Sequence, residues 1–347
     1  MKAMTVIPGQ PGSAEITELP EPPREDGEIL VAGQLIGICG TDGEIMRGFG
    51  ELPAGQQRLV LGHESLGQVL DAPQGTGFKA GDLVMGVVRR PDPLPCQACA
   101  NDYWDFCENG QYTERGIKGR HGFGAAQWRA DPRFLIPVPR QLGDLGVLTE
   151  PASVVAKGWE QVDRITGRSP RSTKIALVIG AGPIGLLAAL LSVQRGYETH
   201  VLDRVSGGPK PDIAAALGAT YHHGTVADTG VKPDVVIECT GTGQLLVDLA
   251  ANTAQAAVIC LAGLASGAPH LKVDMELLNS RVVLDNAVIF GTVNASRKNY
   301  QQAVDALAKA DQEWLGRLVT RRVPLSSWPE ALAKTPDDVK VVVDLRE

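Results

Sequence analysis

Residues 174–196 read KIALVIGAGPIGLLAALLSVQRG, and this stretch decides how the rest of the chain is read. A short apolar run with the look of a strand meets a glycine cluster, and an apolar run of helical length follows. Gly180, Gly182 and Gly185 give the spacing GxGxxG at that junction, with Pro183 and Ile184 inside it. Each glycine then has a task. The first makes the tight turn, the second lets backbone approach a pyrophosphate, and the third lets helix and strand pack closely. The helix N-terminus offers free N–H groups to the phosphates. Eighteen residues past Gly185 the next strand-like run, THVLD, ends in Asp203. A carboxylate there bonds the ribose hydroxyls of NAD and repels a 2′-phosphate. The reading therefore favours NAD, while Arg204 and Lys210 keep NADP as the alternative.

Outward from this motif, strand-like runs continue to alternate with segments of helical period: DVVIEC, AVICLAG and AVIFGTVN. Such alternation predicts an α/β domain, a parallel sheet with helices on both faces. Before about residue 140 the texture differs. Short apolar runs (GEILVAGQLIGI, SLGQVL, GDLVMGVV, FLIPVP) are cut by Gly and Pro, which predicts a β-rich domain. The final stretch, with a helical NYQQAVDALAKA and a closing VKVVVDL, lacks a βαβ continuation and is assigned back to the first domain.

The 347-residue chain is long enough for two domains, and with 44% hydrophobic and 21% charged residues it has the composition of a soluble globular protein. Its net charge of −7 and the lack of a Lys/Arg block argue against nucleic acid. No apolar run approaches the length of a membrane span, and MKAMTVIPGQPG has no signal-peptide character, so the cytoplasm is expected. Six cysteines, three of them clustered, fit metal binding in a reducing compartment better than a disulfide framework.

Three polar stretches in the first domain hold residues fit for a metal: GICGTD with Cys39, Thr41 and Asp42, LGHESLG with His63 and Glu64, and LTEPAS with Glu150. Thiolate, imidazole and carboxylate at Cys39, His63 and Glu150 make a three-donor set that suits Zn2+ and leaves the fourth position open, as catalysis requires. Taken singly, each has a plainer reading as packing, capping or solvated surface. Cys239 and Cys260, inside apolar runs, read as core residues.

Together GICGTD, GHESLG, the cysteine lobe, GAGPIG and the return segment resemble the zinc-dependent medium-chain alcohol dehydrogenase family over the whole chain. Within it, VRRP, TERGIKGRHGF, TEPASVV, PDIAAALGATY and FGTVNASRKNYQQAV resemble the glucose 1-dehydrogenase branch. The resemblance implies a GroES-like catalytic domain over 1–155, a Rossmann domain over 156–294 and a return segment over 295–347. It implies catalytic zinc on Cys39 and His63, with Glu150 as third ligand or partner of the zinc water, and Glu64 entering or leaving the shell. The implied reaction removes hydride from C1 of an aldose to the nicotinamide of NAD or NADP and gives a lactone. Thr41 would relay the hydroxyl proton, with turn capping as an equal alternative; Glu114 and Asn294 would hold sugar hydroxyls, and Thr240 and Asn294 would line the cofactor. His121 reads as a surface loop residue.

In RPDPLPCQACANDYWDFC the resemblance implies a structural zinc lobe of spacing CxxCxxC, seven residues, then Cys. Cys96, Cys99 and Cys107 fall on the last three positions and Pro93 on the first, so Asp92, or second Asp102, would supply an oxygen. A lobe without metal is the competing reading. Rival functions are a polyol, cyclitol or aminocyclitol dehydrogenase, and a non-catalytic dinucleotide sensor, against which the set Cys39, His63 and Glu150 argues. The resemblance also implies a dimer or tetramer pairing near VIFGTVN.

Overall fold

The structure, a computed structural model, describes residues 1–264 and 274–346. The chain forms two compact units, one of Met1–Ser153 with Asn294–Glu347 and the other of Val154–Val293.

In the first unit a seven-stranded sheet is built around Ile29–Ile38. Glu64–Asp71 pairs antiparallel on one side of that strand. Lys340–Asp344 pairs antiparallel on the other, and Val319–Pro324 lies parallel beyond it. Strands from the two ends of the chain thus share one sheet, and this puts Lys340 beside Ile38 and the residues that follow it. The core beneath contains Ile36, Leu61, Phe123, Trp128 and Trp328, all buried. Phe123 and Trp128 meet edge-on with ring centroids 4.8 Å apart. Each such side chain withdrawn from water contributes about 1.5–3 kcal/mol, so the loops of the site stand on a stiff floor.

In the second unit six parallel strands are found among the described residues. Their order is Thr220–His223, Glu198–Asp203, Ile175–Ile179, Val235–Glu238, Val258–Leu261, Val288–Gly291. The order runs outward in both directions from Ile175–Ile179 and Val235–Glu238, so the switch point lies between these two strands, and ligands of such sheets bind at the carboxyl ends there. The helix Pro183–Gln194 is apolar all round and buries Gly185 through Ser192, as expected for a helix laid on a sheet within a core. The strand Thr220–His223 has no apolar run to announce it; it is a polar edge strand held by parallel pairing to Glu198–Asp203.

Candidate functional site

Cys39 follows the strand Ile29–Ile38 and caps the helix Gly40–Met46. Its Sγ accepts from the Thr41 N–H at 3.3 Å, while its own N–H donates to Asp42 Oδ2 at 2.9 Å. A reciprocal cap of this kind stabilises a helix start by about 1 kcal/mol. Here it also aims the thiol. His63 follows Gly62, whose φ of 93° favours glycine and where a Cβ would stand 3.0 Å from the Gly124 nitrogen. The turn brings His63 Nε2 to 2.9 Å from Cys39 Sγ. On the other side of the ring, Nδ1 lies 3.6 Å from Asp42 Oδ1, and neither atom has a hydrogen-bond partner among the described residues. Burial alone would push the imidazole toward neutrality; Cys39 and Asp42 outweigh it and hold His63 well above its usual value. Burial raises the Asp42 carboxyl, with His63 and the Cys39 N–H opposing.

Cys39, His63 and Asp42 carry ligand atoms within 4.8 Å of one another. Glu64 and Glu150 stand outside that group. Glu64 was expected to enter or leave a metal shell, and the structure shows where its carboxylate lies without metal. Its Oε2 forms a buried ion pair with Lys340, whose Nζ also donates to the Ile38 carbonyl at 3.1 Å. A Cβ on Gly37 would lie 2.1 Å from that same oxygen, so the glycine makes the room in which Glu64 lies. Lys340 and the outer position of Asp42 were missed by sequence reasoning. Glu150 opens the helix Thr149–Thr166. Burial first, then Glu64, pushes its carboxyl up to about 7, against the pull of His63 and Lys340. It therefore shares the field of the Cys39 cluster without joining its contacts.

Glu114 and Asn294 meet although 180 residues separate them: Asn294 Nδ2 donates to Glu114 Oε1 at 2.7 Å. Arg89 donates to the same oxygen through Nε at 3.0 Å and Nη2 at 3.0 Å. Asn294 itself sits at φ 58°, a left-handed backbone held by its own Oδ1 bond from the Ala295 N–H. Strain of this sort persists where surroundings fix it, and it favours Asn over bulkier residues. His121 is half-buried, its Nδ1 accepts from the Val60 N–H at 3.2 Å, and it lines a cavity of about 380 Å³.

In the second unit two of the three glycines are required by the backbone and its packing. Gly180 has φ 97°, Gly185 could not carry a Cβ, which would stand 1.7 Å from the Gly180 carbonyl oxygen, and Gly182 faces open space within 4 Å. Pro183 begins the helix, with Ile184 next. Asp203 Oδ2 accepts from the Ala181 N–H at 2.6 Å and from Lys210 Nζ at 3.3 Å, and Oδ1 from the Val205 N–H at 3.1 Å. Burial would raise this carboxyl, but those donors win and hold it below the usual range. Arg204 is exposed. Thr240, expected at the cofactor, gives both its N–H and its hydroxyl to Glu238.

In the lobe, Cys96, Cys99 and Cys107 bring their sulfurs within 4.8 Å of one another. Backbone N–H groups of Cys99 and Glu108 lower Cys96 to about 7, whereas burial pushes Cys99 up to about 11. Asp92 is buried, with Oδ1 accepting from the Leu94 N–H at 2.8 Å and Oδ2 left without a partner. Asp102 instead pairs with Arg133. Cys260 is buried and Cys239 half-buried, each with its thiol raised by burial.

The profile of the alcohol dehydrogenase GroES-like domain matches residues 25–140, and that of the glucose dehydrogenase C-terminus matches residues 143–345. The glucose 1-dehydrogenase of Methanocella arvoryzae is 37% identical over 359 aligned residues, covering 99% of each chain. That of Thermoproteus tenax is 38% identical over 353, covering 100% of each. Among solved structures, Haloferax mediterranei glucose dehydrogenase in complex with NADP, Zn and gluconolactone is 31% identical with a TM-score of 0.90, covering 99% of each chain.

Proposed function

The chain belongs to the glucose 1-dehydrogenase branch of the zinc-dependent medium-chain alcohol dehydrogenases, and from that premise we propose that it oxidises C1 of a glucose-like aldose to the lactone with NAD or NADP. The observation that carries the proposal is the approach of Cys39 Sγ and His63 Nε2 to 2.9 Å with Asp42 behind the ring.

The donor set fits zinc. A soft thiolate and an imidazole converge, and the buried, unpartnered His63 Nδ1 and Asp42 Oδ1 face each other as in carboxylate–histidine–zinc arrangements. Cys39 and His63 would hold the ion, with Glu150 as third ligand or as acceptor from its water. Bound there, Zn2+ supplies Lewis acidity toward the C1 hydroxyl. NAD(P) bound at the fingerprint supplies the hydride acceptor.

The chain's own residues do the rest. Asp42 keeps the His63 ring in one orientation, and Lys340 balances Glu64 so that fewer uncompensated charges surround the site. Glu114 takes its three protein bonds on Oε1, which leaves Oε2 to accept a sugar hydroxyl. Thr41, two residues from the thiol, carries the proton away from the reacting hydroxyl. Asp203, charged and donor-bound, favours the free ribose hydroxyls of NAD; Lys210 and Arg204 are the cations that let NADP in.

The apolar side chains of the helix Met275–Leu284 are largely exposed, Leu284 at 70%, and lie in sequence next to the edge strand Val288–Gly291. That surface supports a homo-oligomer. Among the described residues no helix is long and apolar enough to cross a membrane, and all six cysteines are free, which supports a cytoplasmic setting.

The test is a zinc count per chain followed by a panel of aldoses, polyols and cyclitols with each nucleotide, read as nicotinamide reduction. Aldose turnover with lactone product is expected. Turnover of secondary alcohols alone would replace the aldose reading with the polyol or cyclitol one.

A further inference from the structure

Glu238 ends the strand Val235–Glu238 beside the switch point of the parallel sheet, and it is 3% exposed. A carboxylate so deep in a sheet needs donors. It finds them in the turn that follows: Oε1 accepts from the N–H and hydroxyl of Thr240, and both oxygens accept from the Gly241 N–H at 3.1 Å. Its carbonyl accepts from Ala262 and Gly263 N–H at 2.8 and 2.9 Å, which ties in the turn after the next strand. Thr240 has no donor left. Its hydroxyl oxygen accepts from the Thr242 N–H at 3.1 Å, and its methyl is what a Cβ on Gly180 would meet at 2.9 Å. A Cβ on Gly263 would come within 2.1 Å of the Gly241 nitrogen. One buried carboxylate therefore fixes a turn packed between the first fingerprint glycine and the neighbouring strand's turn.

We propose that Glu238 is a positioning residue for the dinucleotide: through Thr240 and Gly241 it shapes the wall of the crevice that receives the nicotinamide half. The assignment to that half follows from topology. Asp203 ends a strand on the adenosine side, whereas Val235–Glu238 opens the second mononucleotide half, across the switch point. Glu238 acts through the turn's backbone, so it touches no reacting atom and is not a catalytic residue.

The inference rests on the reading of the crevice as a dinucleotide site and is independent of the sugar. Its test is direct binding without sugar: NADH by fluorescence and ADP by calorimetry, for the wild type, Glu238→Gln and Thr240→Val. In the Gln variant an amide N–H faces the Gly241 N–H in place of an acceptor. NADH affinity should fall about tenfold while ADP affinity stays within about twofold. Thr240 is exposed, so Thr240→Val keeps the fold if the Gln variant does not. It should weaken NADH about threefold with the same ADP insensitivity, since only one donor is lost. Equal losses for both ligands, or unchanged NADH binding in both variants, would overturn the positioning role. A wild type that binds neither ligand would instead remove the dinucleotide reading beneath it.

Discussion

The chain holds two thiol clusters, and they are built on different principles. Around Cys39 the donors are mixed and their neighbours ordered: the thiol is held by the helix cap, the imidazole faces Asp42 at 3.6 Å, and the neighbouring Glu64 is paired with Lys340. Around Cys96 the donors are three sulfurs, two of them half-buried on short irregular elements, and no carboxylate joins their group among the described residues. Chemistry needs one orientation and one charge state, which outer partners supply. A clip that only ties a lobe together needs neither. The contrast predicts that damage at the first cluster appears in turnover and damage at the second in stability.

The sharpest way to break the comparison is to remove a donor from the first cluster. Cys39→Ser and His63→Ala should each lower kcat/KM by roughly a thousandfold or more, since the ion's charge stabilisation is worth several kcal/mol. Each should also lower the zinc content by one per chain. Retained turnover in a zinc-depleted Cys39→Ser protein would remove the distinction between the clusters.

Next in size is the bracing pair. Lys340→Met leaves Glu64 charged and buried without a cation, and losing one partner of a buried pair costs about 3–5 kcal/mol. The denaturant midpoint should fall accordingly. The double variant Lys340→Met with Glu64→Gln should recover much of that loss. Equal losses in the single and double variants would show that Lys340 matters for its packing and not for its charge.

Legibility from sequence divides along the same line. The glycine fingerprint, the strand before it and Asp203 are read from spacing because their reasons are local: a turn, a close approach, a helix start. Residue type alone picks out Cys39 and His63, and the fold brings them together. What sequence did not offer is the bracing. Lys340 and Glu64 are 276 residues apart, and their pairing exists only because the last strand, Lys340–Asp344, shares a sheet with Ile29–Ile38 and Glu64–Asp71. Asp42 was quoted with its motif, yet nothing in the order of residues tells which oxygen faces the ring. The partner of Glu64 is hidden for the same reason, since Lys340 lies at the far end of the chain. Thr220–His223 was unreadable as a strand because edge pairing, not apolar pattern, makes it one.

A smaller effect tests the electrostatics of the first cluster. Glu150 is pushed up from 4.5 to about 7, chiefly by burial. Between those values the metal-free fold holds a proton that the unfolded chain has released. Its contribution is therefore present below pH 4.5 and lost as pH rises through 7, at roughly 1.4 kcal/mol per unit. Metal-free protein should lose stability over that window, and Glu150→Gln should flatten the slope. A slope unchanged in Glu150→Gln would mean that another group titrates there.

The smallest effect belongs to the lobe and sharpens the comparison most finely. Asp92 lies outside the three-sulfur group, but its Oδ2 is buried and unpartnered while Asp102 is spent on Arg133, so the proposal of Asp92 as fourth ligand is the one to test. Asp92→Asn keeps the shape and the Leu94 bond but weakens the ligand, because a neutral amide oxygen is a poorer donor to zinc than a carboxylate. Zinc content should fall toward one per chain, and Tm should drop by a few degrees, about 2–4 °C per kcal/mol lost. Turnover at room temperature should stay within about twofold, since no lobe residue is asked to stabilise charge in the reaction. A large loss of turnover at intact Tm would mean that the lobe reaches the chemistry, and the route would be Arg89, which donates to the lobe's Asp105 carbonyl at 3.3 Å and to Glu114 at once.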